Sequence, residues 1–328
     1  MTNRTVMGMS CHHTHAASAA LGGLTVGLLL GASVPEVIML SLVSSGAGLL
    51  PDLDTPSSSA TNAAGPLIAL PLRGFRWAVR CHRGASHTLV AALCTAWLVY
   101  IVGSSTSQHF YTSSGMTPLR YIVAAVLALL VAKPLLKFGT SLRGGLRTTL
   151  FVLLGVGAGV LVAFLALTLG TWSIRMLVPV LLAVLATRSL LTFDVARKRT
   201  EHPGDVAPEG RRPMLRKRTR GMLQLGVGFG VAYVIYRFGA KPHFDLDLAI
   251  AVGVGYATHL FGDVCMNGVP LLWPAMPSLS RRVTLSKIET DGPADHVIGW
   301  VVLALTIGLF ALTTSGVVSA PHLLHSFA

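Results

Sequence analysis

Residues 81–94 read CHRGASHTLVAALC: two histidines and an arginine stand directly before a run suited to lipid. From about residue 88 to 103 the apolar residues continue without a charge, nearly enough to cross roughly 30 Å of hydrocarbon. Similar runs occupy about 14–32, 36–50, 119–133, 146–169, 174–193, 222–238, 247–266 and 297–316. About nine helices are therefore expected, with 36–50 short enough to be tilted, re-entrant or a half-span. The whole chain agrees. Its 328 residues are 52% hydrophobic and only 12% charged, with a mean hydropathy of +0.65. That composition lies outside the range of soluble globular domains and predicts an all-α polytopic membrane helix bundle.

The first run follows a single arginine, Arg4, is long, and is succeeded almost at once by a second run. It is expected to be retained rather than removed as a signal peptide. Cys11, Cys81, Cys94 and Cys265 form no Cys-x-x-Cys pair and read as small apolar filler.

Lysine and arginine set orientation, because short loops rich in them stay in the cytoplasm. The net charge of +13 is mostly this bias. Residues 196–220, ARKRTEHPGDVAPEGRRPMLRKRTR, read as a solvated cytoplasmic loop in contact with lipid headgroups. Without aromatic interleaving, the loop gives no reason to expect a nucleic-acid partner. Counting spans from that anchor puts residues 1–13, 51–87, 133–147 and 267–296 inside. Residues 33–35, 104–118, 239–246 and the C-terminus fall outside. Three sections follow: 1–110 with His and Asp motifs, 111–238 with further helices and the basic loop 194–221, and 239–328 with a His-x-x-x-Asp motif.

This assignment uses only Lys and Arg, yet it gathers four other motifs on the cytoplasmic face. They are HHTH (12–15), PDLD (51–54), HRGASH (82–87) and HLFGD (259–263). Ionisable groups at membrane depth are costly unless paired or liganded, so they mark a candidate site. In HLFGD, i and i+4 share a helical face, so His259 and Asp263 point the same way, toward a metal or toward each other. In PDLDTP, two prolines bias the chain toward extended structure, which would turn Asp52 and Asp54 to one side. The alternative is a turn in which Asp54 caps the next helix. Between Asp54 and Asp194 there is no acidic residue at all, so this pair is nearly the whole carboxylate supply of the first half.

His82 and His87 are five apart, about 140° around a regular helix, so the loop must shape them. Gly84 permits a bend, and Ser86 is placed to cap the helix that follows. Arg83 is either a clamp for a phosphate or carboxylate or a topogenic charge. Of His12, His13 and His15, His15 is favoured because a helix starting near Thr14 contains it. Asp295 and His296 are more remote candidates. NGVPLLWP (267–274) reads as a turn followed by an interfacial segment with Trp273 at headgroup level.

Together, THAASAALGG (14–23), GAGLLPDLDTPSS (46–58), HRGASHTL (82–89) and GYATHLFGDVCMNGVPLLWP (255–274) resemble the ordered motifs of the YdjM-like bacterial inner-membrane proteins. That family is predicted to comprise metal-dependent hydrolases. The resemblance covers about 10–110 and 245–280, and leaves the helices from about 119 to 238 as an elaboration. Ala85, Ser86 and Thr88 depart from the family's usual residues around its histidine. The resemblance implies a metal site from His15, Asp52, Asp54, His82, His87, His259 and Asp263 in the bacterial inner membrane.

The expected function is an integral membrane hydrolase that acts on a phosphoester or lipid-linked substrate at the cytoplasmic face, using metal-activated water. Zinc is the expected metal, with manganese the alternative. Asp54 would be a ligand or the general base, and Arg83 would stabilise developing charge. The rival is a non-enzymatic metal-binding membrane protein, a transporter or a scaffold. Transport would favour polar residues along several spans, and here they gather at one end.

Overall fold

The computed structural model describes residues 11–54, 84–108, 171–191, 214–239, 243–266, 268–275 and 293–316, with isolated positions between them. The described helices are α1 (Cys11–Leu29), α2 (Val34–Ala47), α3 (Leu89–Gln108), α4 (Thr171–Leu191), α5 (Met214–Phe238), α6 (Phe244–Met266) and α7 (Pro293–Thr314). Two short 3-10 turns, Pro51–Asp54 and Ala85–His87, follow α2 and precede α3. Among the described residues there is no strand, only one isolated bridge between Val269 and Val283.

The chain is an all-α membrane bundle. Val34–Asp54, Phe244–Met266 and Val297–Thr314 are long and apolar enough to cross a membrane. Leu89–Ser104, Met176–Thr187 and Met222–Phe238 are shorter apolar helices. The expected runs at 119–133 and 146–169 lie outside the described residues apart from a few helical positions, as does most of the basic loop.

α1 packs against α2, α6 and α7; α2 also meets α4 and α6; α3 lies on α6, and α4 on α5. In lipid the hydrophobic effect gives apolar helices little reason to associate, so close approach and hydrogen bonds must do it. Three serines of α2 supply the bonds. Ser41, Ser44 and Ser45 donate to the carbonyls of Ala20, Ala19 and Ala16 at 2.8, 2.7 and 2.8 Å. Glycines supply the approach. Gly23 faces Leu40 and Ser44, Gly46 faces the Leu182 backbone, and Gly255 faces the Ser44 carbonyl, none with room for a methyl group. The periphery is different: α7 exposes Val297, Trp300, Leu305 and Ile307, as a lipid-facing helix would.

α6 ends where the site needs it to end. Gly268, at φ +72°, donates its N–H to the Asp263 carbonyl at 2.9 Å, a left-handed stop that a residue with a Cβ adopts poorly. Asp263 is thereby held in the last turns of α6. At the opposite end of the bundle, the Lys241 ammonium meets the Glu36 carboxylate at 2.8 Å. Glu36 and Lys241 therefore share an end, as the Lys/Arg bias predicts by grouping 33–35 with 239–246.

Candidate metal centre

The start of α1, the turn after α2, the turn before α3 and the end of α6 converge at one end of the bundle. They bring His15, Asp52, Asp54, His87, His259 and Asp263 together. Asp263 is the hub. Its Oδ2 lies 3.2 Å from His87 Nε2 and 3.3 Å from His259 Nε2, and its Oδ1 lies 3.8 Å from His15 Nε2. Asp52 Oδ1 stands 4.0 Å from His87 Nε2 and 3.8 Å from His259 Nε2. Two overlapping donor groups result, His15–His259–Asp263 and Asp52–His87–His259, each with its donor atoms within 4.8 Å of one another. The i, i+4 reading of His259 and Asp263 holds as expected for one helical face.

The imidazoles are held by their surroundings. His259 Nδ1 lies 2.6 Å from the Gly48 carbonyl, an obligate acceptor, so Nδ1 carries the proton and Nε2 faces Asp263 and Asp52. Gly48 comes this close because its missing side chain avoids Ala19 Cβ, which a methyl would meet at 2.5 Å. The His15 ring lies against that of His259, centroids 4.0 Å apart and tilted 30°. Gly262 leaves space for His15, whose ring a Cβ there would meet at 2.8 Å. Thr14, one residue before His15, donates to the buried carboxylate of Asp295 at 2.8 Å, which brings α7 to the edge of the site.

Two local expectations are corrected. Pro51–Asp54 is a 3-10 turn rather than an extended strand-like segment. Pro51 suits the first position of a helical turn, where its missing N–H costs nothing, and the Leu53 N–H closes the turn on the Leu50 carbonyl at 3.0 Å. The turn sends the two carboxylates to different sides of His87. Asp52 faces Nε2, whereas Asp54 Oδ2 lies 3.6 Å from Nδ1 and belongs to neither donor group. The second correction concerns Ser86, which does not cap α3. Thr88 does, accepting the Ala91 N–H at 3.1 Å. Ser86 instead donates to Asp54 Oδ2 at 2.8 Å and lies 3.0 Å from His87 Nδ1.

His82 and Arg83 lie outside the described residues. The sequence reading missed Gly48, Tyr256 and Gly262, which act through packing and leave no spacing signature. Tyr256 is buried and donates its hydroxyl to the Ser86 carbonyl at 2.5 Å. The segment after α6 folds onto α3, with the Leu271 carbonyl accepting the Leu89 N–H at 3.1 Å.

No curated protein and no solved structure matches the chain. The model of the YdjM inner membrane protein family matches residues 9–199. That match takes in the first three motif segments and runs on through 119–199, which the motif resemblance alone set aside as an elaboration. With more than half its length matched, the chain belongs to the YdjM inner membrane protein family.

Proposed function

We propose that the protein is a metal-dependent hydrolase embedded in the inner membrane, acting on a phosphoester or lipid-linked substrate at the cytoplasmic face. One observation carries the reading. His259 Nδ1 donates to the Gly48 carbonyl, so that in the neutral ring a lone pair on Nε2 faces the carboxylates of Asp263 and Asp52. Lone pairs facing carboxylates in a buried place repel one another unless a proton or a metal ion lies among them, and a metal ion can be shared by all of these donors where a proton bridges only two. The donors fit a divalent ion: three imidazoles and two carboxylates suit zinc, and manganese is the alternative.

When bound, such an ion lowers the pKa of a coordinated water toward neutrality and polarises the scissile bond. His15, His87, His259, Asp52 and Asp263 would hold it. The chain itself fixes the rings and excludes water from most of the set. Asp52 is the exception, with its side chain 21% exposed against 1% for Asp54. Asp52 is therefore the ligand carboxylate that an incoming water and substrate would reach first. A lipid-linked substrate follows from position, since helix ends at headgroup level meet headgroups first.

Purified protein in detergent, assayed for zinc and for cleavage of phosphodiester and phospholipid substrates, tests the proposal. The expected result is zinc-dependent turnover lost in Asp52→Ala and His259→Ala. Metal uptake by proteoliposomes without turnover would select transport, and metal binding with neither would select a scaffold.

A further inference from the structure

Asp54 and Ser86 lie behind His87, on the side away from the donors, and the proposal of a metal site assigns them no part. We infer that Ser86, held by Asp54 and Tyr256, dictates which nitrogen of His87 carries the proton, and that Asp54 is a positioning residue and no ligand. The inference rests on the metal-site reading.

Ser86 Oγ has a single proton and lies 2.8 Å from Asp54 Oδ2, and an ionised carboxylate only accepts. That proton therefore points at Asp54, and the Ser86 lone pairs face His87 Nδ1 at 3.0 Å. Two lone pairs at that distance would repel, so Nδ1 bears hydrogen and donates to Ser86. In the neutral ring that a metal ligand must be, the Nε2 lone pair then points toward Asp263 Oδ2 at 3.2 Å, where a ligand nitrogen is wanted.

The arrangement is dry and braced. Ser86, His87 and Asp54 are all buried, so water has little access to take over Ser86's part. Tyr256 donates to the Ser86 carbonyl and so ties this turn to α6, the helix that carries His259 and Asp263. His259 reaches the same tautomer by another route, through the Gly48 carbonyl. The two rings thus have matching polarity, one imposed by backbone and one by a serine that a carboxylate orients.

The test is zinc affinity of the purified full chain, measured by competition with a chromogenic chelator, with the melting temperature of the metal-stripped protein as the folding control. Ser86→Ala is expected to weaken zinc binding by about 10–100-fold with stoichiometry unchanged. Ser86→Thr, which keeps the hydroxyl, is expected to restore affinity. Asp54→Asn is expected to weaken binding too, and Ser86→Ala combined with Asp54→Asn to be no weaker than Ser86→Ala alone. Unchanged affinity in Ser86→Ala overturns the inference. So does an Asp54→Asn variant that loses zinc stoichiometry, or a double variant whose losses add. Should Ser86→Thr fail to fold, the Ser86 and Asp54 pair of substitutions still decides. If the wild type binds neither zinc nor manganese, the metal-site reading fails and this inference with it; if the wild type binds and Ser86→Ala is unaffected, only this inference fails.

Discussion

The two ends of the bundle both bury carboxylates, and they treat them differently. At the Glu36 end the carboxylate accepts from the Ser33 N–H at 2.9 Å, from the Ser33 hydroxyl at 2.5 Å and from Lys241 at 2.8 Å. Donors match acceptors there, and the cation is covalently part of the chain. At the other end Asp52 and Asp263 face imidazole nitrogens, and at His259 the ring proton is already committed to the Gly48 carbonyl. A balanced ion pair, its lysine half exposed, fastens two segments together. The clustered donors at the other end are what the proposed metal ion would balance, which is why only one of the two ends reads as a site.

The contrast is broken most directly at its centre. His259→Ala and Asp263→Ala are each expected to weaken zinc binding by about a hundredfold or more, at or beyond the upper end of the effect of losing a partner behind a ligand. Zinc titration of purified variants measures this, and full affinity in either would remove the site. Metal removal comes next. With zinc at about 100 times its Kd, the wild type is expected to gain about 2.7 kcal/mol over the stripped protein, read as a higher melting temperature. His259→Ala should show no such gap.

Packing that brings the donors together is expected to matter somewhat less. Gly255→Ala pushes a methyl into the Ser44 carbonyl and hydroxyl and should cost about 1–3 kcal/mol of stability, with weaker zinc binding because His259 lies one turn further along. Chemical denaturation beside zinc titration tests both halves. The smallest effect belongs to the balanced end. Lys241 is half exposed, so Lys241→Ala should cost about 0–1 kcal/mol and leave zinc affinity unchanged. A large zinc effect there would mean that the two ends are coupled, and the contrast between them would no longer hold.

Much of the site was legible where helical period or charge bias governs it. His259 and Asp263 share a face because an α-helix repeats every 3.6 residues, and α6 is one. The common end of His15, Asp52, His87 and Asp263 followed from counting lysines and arginines across short loops. Reading failed where tertiary contact overrides local preference. The prolines of PDLDTP favour extension locally, but Leu50 and Leu53 close a 3-10 turn that parts Asp52 from Asp54. Ser86 looks like a cap in any local window, and only the fold reveals that Asp54 and His87 occupy it while Thr88 takes the end of α3. Tyr256 carries no local sign of its bond to a turn 170 residues away.

Gly48 has a consequence for anyone who would retune this protein. The oxygen that orients His259 is a main-chain atom, so no side-chain truncation removes it, and alanine at Gly48 itself would act through its methyl against Ala19. Its influence is reached only by changing how far apart two helices sit. Evolution or a designer seeking a different ion here would have to work on the spacing of α2 and α6 as much as on the ligands.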